Sequence, residues 1–449
     1  MKTIPFKHAI GRLTVSLFCL IFAFDLPVIA QQTPNVRLSL LQAVDLSKAQ
    51  NMQVHAARSE ESATESDLRD AKTNALPTVL TNGDYQRFTS LTLYNHGLND
   101  VRSIPKRPTS NGADLGVSAN FNLYAGGRQK ALVAEQKEKR DLAAINTKEQ
   151  AGTVGLEVAD QYLNMIRLIY QKHFIDDQVV RAETRLKNID ALYRNQKVTR
   201  SDLLRSELNL SAVKLNLEQT LNDIIISNQK LNVLLNLPDS TRIYPTDSAA
   251  MTMPSVDTLL DLINSTTHDA YAIRKADESI KIQNARIRGV KSNFSPALSL
   301  YSAYGFNYPN TIFYPPVDQG YSIGFVGFKI QYNISSIYLN KYKSSASRIR
   351  LQELQYVQQN ISDNVKQEAN SLLIKYREAL SRIAVNEKSI AQAKVNYRII
   401  NAKYLNQLAL LTDLLDADNL YQETRYNLVQ AQTVAQLIYY RLLFTSGKL

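Results

Sequence analysis

Residues 115–124 read LGVSANFNLY. In an extended chain Leu115, Val117, Ala119, Phe121 and Leu123 fall on one side, and Gly116, Ser118, Asn120 and Asn122 on the other. Alternation with a period of two marks a strand with one apolar and one polar face. A partner lies upstream in TVLTNGDYQRF, residues 78–88, across a loop holding Pro105, Pro108 and Gly112. The arrangement recurs later in the chain. ALSLYSAYGFN (297–307) and YSIGFVGFKIQY (321–332) flank a loop with Pro309, Pro315 and Pro316. This predicts two β-hairpins, about 78–124 and about 297–332, with strands of about ten residues, the length at which a tilted strand crosses a bilayer.

Outside these hairpins the periodicity becomes helical. Proline is absent from residues 109–237 and again from 317 to the end, and glycine is absent from 328–446. Such stretches, rich in Leu, Ala, Gln, Glu, Lys and Asn, favour very long helices. Leu203, Leu210, Leu217 and Leu221 recur at spacings of seven and four, a coiled-coil pattern. Helices of about 65 residues, roughly 100 Å long, are expected, too long for a compact globule of this size.

The two halves align on each other. Phe121-Asn122 and Tyr332-Asn333 stand 211 residues apart, as do SDLL (201–204) and TDLL (412–415), Tyr193 and Tyr404, and Asn216-Leu217 and Asn427-Leu428. Upstream, Pro77 and Pro296 stand 219 apart, so the first hairpin loop is longer by eight residues. An unchanged offset over so long a span indicates an internal duplication. The reading is a first repeat at 31–237, a linker at 238–255 and a second repeat at 256–449. Each repeat runs helix, strand, loop, strand, long helix, tight turn, helix.

Ahead of them, Lys2, Lys7 and Arg12 precede an apolar run to Phe24, and Val28-Ile29-Ala30 offers a cleavage site before Gln31, so residues 1–30 read as a signal peptide. Cys19, the one cysteine, lies inside it, leaving an exported chain without thiols. The whole chain carries +11; removal of three basic residues and one acidic residue with the signal leaves +9. These cations alternate with Glu and Asp on helical patterns, so nucleic acid is not an expected partner. No apolar run is long enough for a transmembrane helix, and a membrane role must come through strands. The five histidines have no metal-ligand spacing and no phosphate-cradling glycine loop is present, so neither a cofactor nor an enzymatic activity is expected. Four strands cannot close a barrel, and an open edge in lipid is costly; three copies would give twelve strands.

Signal, duplicated helix–hairpin–helix halves, NLYAGGR (122–128) and LTDLLDADNLYQETRYNL (411–428) together resemble the TolC family of outer-membrane efflux proteins. The resemblance covers essentially the whole exported chain. It implies a mainly α protein with membrane β. Three copies would form a homotrimer with a twelve-stranded barrel in outer-membrane lipid and an α-helical tunnel through the periplasm. The implied function is a passive exit duct of the Gram-negative outer membrane for drug or small-molecule efflux or protein secretion. It would work with a periplasmic adaptor and an inner-membrane transporter. The alternative, on residues alone, is a secreted periplasmic coiled-coil scaffold or adaptor protein.

By the same resemblance Asp413 and Asp416 match an Asp-x-x-Asp pair that rings the periplasmic tunnel entrance. At i and i+3 they share a helix face, and three chains would bring six carboxylates to one axis, a cation-selecting arrangement. On residues alone, Thr412 or Asp413 could instead simply begin the final helix. Asp202 and Tyr404 match members of a network that ties the two helical hairpins together. The family's glycine and arginine in the turn are replaced by Gln407 and Ala409, so Arg200 or Arg205, flanking Asp202, are candidates for the missing restraint. Asp418 reads as a surface or packing charge. Gly126-Gly127 let the chain swing from strand to helix. Tyr301, Tyr304, Tyr308, Tyr314, Tyr321 and Tyr332 are candidates for an aromatic girdle at the membrane boundary.

Overall fold

The computed structural model describes residues 35–449 except 90, 95, 105–108, 250, 251, 314 and 315. The signal peptide and Cys19, Pro105, Pro108, Tyr314 and Pro315 lie outside the described residues. The order is β1 (Asn35–Leu38), α1 (Leu40–Gln50), α2 (Met52–Thr73), β2 (Thr78–Arg87), β3 (Leu91–Tyr94), β4 (Val101–Ile104), β5 (Asn111–Ala125), α3 (Arg128–Arg194) and α4 (Arg200–Leu235). It continues with β6 (Arg242–Pro245), α5 (Val256–Asp269), α6 (Tyr271–Ser292), β7 (Ala297–Tyr308), β8 (Tyr321–Gln331), α7 (Ser336–Leu405) and α8 (Leu411–Thr445). The chain is mainly helical, and α3 and α7 run for 67 and 70 residues, each on the order of 100 Å at 1.5 Å rise per residue.

Two details depart from the expected order. The helix ahead of each hairpin is broken, at Asn51 and at Ala270. Asn51 serves both pieces: its backbone N–H donates to Ser47 O of α1 at 2.9 Å and its side chain accepts from Gln53 N–H of α2 at 2.8 Å, while the side-chain amide donates to Leu234 O of α4 at 2.9 Å. The stretch 238–255, expected as a plain linker, contains β6, which pairs in parallel with β1. Beside it, Asp247 Oδ2 accepts from Leu40 N–H at 2.6 Å and from Tyr162 Oη at 2.9 Å. Burial first, and then the neighbouring Asp247 carboxylate, push the Tyr162 phenol far above its ordinary range, so it serves as a donor.

The strands form an antiparallel sheet in the order β2-β5-β7-β8; the longer first loop carries a separate hairpin, β3-β4. Facing partners share a side of the sheet, and the register assigns each residue to a face. Val79, Leu115, Val117, Tyr304, Phe306, Val326, Phe328 and Ile330 lie on one face, all exposed. Asn82, Asp84, Asp114, Ser118, Asn120 and Lys329 lie on the other, which also carries the apolar Leu80, Ile323 and Phe325. The one charged strand residue on the apolar face is Arg87, at the very end of β2. Tyr304 and Tyr308 belong to the apolar face. Tyr301 and Tyr321, expected in the same girdle, point to the polar face, where Tyr301 meets Phe325 edge-on at 5.7 Å. The outer edges of β2 and β8 have no partner strand among the described residues.

Below the sheet α2, α3, α6 and α7 stand side by side in that order, α4 packs on α3, and α8 packs on α7 and α3. The apolar cores lie along this stack. One joins α1, α3, α4 and β6; a second joins α5, α7 and α8; a third, far from the sheet, gathers Ile189, Tyr404, Leu411 and Leu414. Among the described residues no helix is long and apolar enough to cross a membrane.

Candidate functional site at the hairpin tips

The third core locks two helical turns together. In the first, Lys197 N–H bonds Leu192 O and Gln196 N–H bonds Tyr193 O, both at 2.8–2.9 Å. In the second, Leu408 N–H bonds Lys403 O at 2.8 Å and Gln407 N–H bonds Tyr404 O at 2.9 Å. Both are Schellman closures, which require a residue in the left-handed region. Here that residue is glutamine: Gln196 has φ 61 and Gln407 φ 63. A side chain there costs about 1–2 kcal/mol that glycine does not. Gln196→Gly and Gln407→Gly are therefore each expected to raise stability by about 1 kcal/mol, measured as a shift in the urea unfolding midpoint.

After each turn an acidic residue caps the next helix. Asp202 Oδ2 accepts from Thr199 N–H at 3.1 Å and from Thr199 Oγ1 at 2.8 Å, and Thr199 Oγ1 accepts from Asp202 N–H at 3.2 Å. This is a reciprocal capping box. Asp413 Oδ2 accepts from Leu410 N–H at 3.1 Å. Asp413 is the third residue of α8, so neither it nor Thr412 begins that helix. Asp413 and Asp416 are both exposed, and Asp416 has no hydrogen bond or ion pair among the described residues.

Tyr404 is buried beside Asp202. Burial first, and then the Asp202 charge, push its phenol above the ordinary value, while Arg185 pulls it down. Its hydroxyl finds no hydrogen-bond partner among the described residues. An orphaned buried hydroxyl is destabilising. Tyr404→Phe is expected to leave the isolated chain as stable or about 1 kcal/mol more stable, checked by the same unfolding assay.

Arg200 and Arg205 stand on either side of Asp202 in the first turns of α4. Both are exposed and hold no carboxylate among the described residues. The arginines that do so come from α3. Arg185 Nη2 lies 2.6 Å from Asp418 Oδ2 and Arg181 Nε 2.9 Å from Asp418 Oδ1. Arg185 also donates to Asn209 of α4 at 3.3 Å, and the Arg181 guanidinium lies 5.8 Å from the Tyr397 ring centre. Asp418 is 1% exposed and Arg185 5%. Asp418 is thus no surface charge: it is the buried anion joining α3 to α8. The sequence did carry two signals for it. Asp418 continues the buried stripe of Leu411 and Leu414 at i, i+3 and i+7. Arg181 and Arg185 are like charges at i and i+4, a pairing that an isolated helix resists unless an anion stands between them.

At the other end Gly126 and Gly127 have φ 61 and 81. A Cβ on Gly126 would lie 2.6 Å from Ser292 O, so only glycine fits the passage from β5 to α3. Among the described residues no group of three His, Cys, Asp or Glu could hold a metal ion.

Residues 43–237 match the family model of the outer membrane efflux proteins. The match covers 195 of the 449 residues and likens this part of the chain to the outer membrane efflux proteins. The matched segment runs from α1 to the end of the first helical hairpin, so it contains Gly126-Gly127 and the Asp202 turn. Comparison with curated protein sequences gives no match. Among solved structures the chain is similar in fold to VceC, an outer membrane protein of Vibrio cholerae, with TM-score 0.75 and 14% identity over 91% of this chain and 96% of that one. The CmeC outer membrane channel of Campylobacter jejuni matches with TM-score 0.75 and 15% identity over 91% and 85%. The MtrE outer membrane channel of Neisseria gonorrhoeae, in its open state, matches with TM-score 0.70 and 17% identity over 91% and 89%. At such identity these likenesses speak for the fold, including the second half that the family model leaves unmatched.

Proposed function

We propose that this protein is an outer-membrane exit duct. Three copies close their four-stranded sheets into a twelve-stranded barrel, and their helices continue it as a tunnel through the periplasm. The observation that carries the reading is the sheet. One face is apolar and exposed, the other holds the charged and amide residues of the sheet apart from Arg87 and Asn111, and both edges lack a partner among the described residues. In lipid such edges must be closed by further strands, and copies of the same sheet close them without a new element. The polar face then lines the pore. The duct is passive; substrates arrive from an inner-membrane transporter through a periplasmic adaptor.

The duplication is supported by the tips and the kinks alike. The two left-handed glutamines stand 211 residues apart, and the helix breaks at Asn51 and Ala270 stand 219 apart, as Pro77 and Pro296 do. Repeats at 31–237 and 256–449 follow, after removal of residues 1–30. At the tips Asp413 and Asp416 form the acidic ring of the entrance. Their lack of ion pairs leaves them free to face a cation. Asp202 and Tyr404 mark the contact between the two hairpins. The restraint that Ala409 cannot supply falls to Arg181 and Arg185 gripping Asp418.

Membrane fractionation tests the reading. The protein should leave outer membranes only with detergent, and then as a trimer. Recovery from the soluble periplasm would overturn it.

A further inference from the structure

The long helices carry their charge unevenly. The six residues of α2, α3, α6 and α7 nearest the strands are 68–73, 128–133, 287–292 and 336–341. Together they hold seven Lys and Arg against one carboxylate, Asp70, a net +6 of the +9 of the exported chain. The connectors to the strands, 74–77, 126–127, 293–296 and 332–335, carry no charge. All seven cations are exposed, and among the described residues only Arg69 has an ion-pair partner, Glu65 at 3.6 Å. Helix polarity does not account for the set. Cations suit the ends of α2 and α6, but Lys130 stands in the first turn of α3, where the helix dipole opposes a positive charge.

One cation from each helix stands on the same side of the row. α3 meets α2 through Gln129 and Arg140, and α6 through Glu135 and Glu149. At 100° per residue Lys130 points out between the two contacts. α6 meets α3 through Lys275 and Arg286, and α7 through Asp277 and Gln283, which leaves Arg288 outside the row. Lys341 stands about a right angle from Ser347 and Gln358, which meet α6, and Arg69 about a right angle from Leu68, which is buried towards α3. Neighbouring helices of the row run in opposite directions, and with their handedness counted Arg69, Lys130, Arg288 and Lys341 share one side. The strands identify that side. Gly116 O points towards β2, where it accepts from Thr81 Oγ1 at 3.2 Å. For a strand of L-residues descending into α3, this turns position 116, on the face of Asp114 and Ser118, to the opposite side of the row. The four cations therefore continue the apolar face of the sheet. So does Ile337, 56% exposed at the start of α7.

We infer that this collar binds the headgroups of anionic phospholipids in the leaflet nearest the helices. The inference rests on the membrane reading of the sheet above. Six helical residues span about 9 Å, and the headgroup layer on either side of the hydrocarbon is about 5–8 Å deep. Cations at that depth, below an apolar strand face, meet phosphodiesters. Helices packed side by side stand about 8–10 Å apart, so one phosphate fits between Lys130 and Arg288 and another between Arg288 and Lys341. A zwitterionic headgroup brings a cation of its own, which such a cluster repels; an anionic headgroup does not. Each Lys or Arg held near an anionic lipid surface is worth roughly fivefold in affinity. An acidic protein surface would meet the same charges, but it would leave unexplained the uncharged connectors and the exposed Ile337 that carry the apolar face down to them.

The chain has no tryptophan, so an indole introduced as Ile337→Trp reports alone. The protein is reconstituted at low salt in bilayers of phosphatidylcholine and phosphatidylglycerol, with bromine high on the acyl chains of one lipid or the other. The ratio of quenching gives their relative affinity at the collar. Phosphatidylglycerol should be preferred about tenfold, and the preference should shrink as salt screens the charges. Adding Lys130→Gln, Arg288→Gln and Lys341→Gln should bring it to about twofold or less. A tenfold preference that survives these three changes overturns the assignment to the collar. Equal quenching by the two lipids, or none in a chain that has inserted, overturns the inference alone. A chain that does not enter bilayers overturns the membrane reading of the sheet, and this inference with it.

Discussion

Asp418→Asn is expected to cost about 3–5 kcal/mol of stability, the largest effect of any single change at the tips. The asparagine keeps the shape of the aspartate but removes the charge that Arg181 and Arg185 share. Two guanidiniums would then be left side by side, one of them 5% exposed, with no anion within reach. A buried charge stripped of its partner is far more costly than the pair itself was favourable. The measurement is the urea unfolding midpoint in detergent, with Asp416→Asn as the control, because that exposed carboxylate should move the midpoint by less than about 0.5 kcal/mol. Replacing all three together, as Arg181→Met, Arg185→Met and Asp418→Leu, should recover most of the loss, since an apolar substitute for a buried ion cluster is often neutral or better. If the triple variant is as damaged as Asp418→Asn, packing volume and not unpaired charge is what the site supplies.

Function sharpens the same experiment. Arg181 and Arg185 belong to the first helical hairpin and Asp418 to the second, so the ion cluster holds the two tips against each other. A variant lacking the charge should therefore conduct more in its resting state. A fall in stability with unchanged resting conductance would confine Asp418 to folding and remove it from the gate.

The sequence made some features plain and hid others for physical reasons. Strand alternation in LGVSANFNLY and the breaker-free helical stretches are local patterns, and both emerged as read. SDLL and TDLL could be matched to each other because turn chemistry repeats with the turn: both stand directly after a helical turn closed by a left-handed glutamine. The ion cluster of Arg181, Arg185 and Asp418 could not be found that way. Its partners lie 233 and 237 residues apart, and the search stayed near Asp202, which pointed to Arg200 and Arg205. Missing the core register of Asp418 was avoidable, since Leu411 and Leu414 set that stripe. The glutamines of the turns were legible only in part. The absence of the family's glycine was visible, but that Gln407 would adopt φ 63 follows from the closure bonds on either side of it. Two tyrosines were placed with the wrong set because a count of aromatics ignores parity: Tyr301 and Tyr321 sit one residue out of step with the residues of the apolar face.

Asp413→Asn together with Asp416→Asn is expected to raise about tenfold the concentration of divalent cation that blocks the channel from the periplasmic side. The estimate follows from Coulomb's law. In water a pair of unit charges about 10 Å apart is worth roughly 0.4 kcal/mol. A divalent ion doubles that, six carboxylates in a trimer sum it to about 5 kcal/mol, and screening over a Debye length of about 8 Å leaves about 1.4 kcal/mol. Asparagine is the right replacement because Asp413 also accepts from Leu410 N–H at 3.1 Å. The amide oxygen can keep that capping bond, so the helix start survives while the charge goes. Asp202 provides the contrast. Its carboxylate is already engaged by Thr199 through both the backbone N–H and the hydroxyl, so Asp202→Asn should disturb its own helix start more and cation block less. Planar-bilayer recordings with added divalent ion separate the two. Equal loss of block from both variants would mean that the ring is not confined to the second hairpin. No loss from Asp413→Asn with Asp416→Asn would mean that these carboxylates do not line the entrance at all, and that their place at the start of α8 is a matter of capping and helix polarity alone.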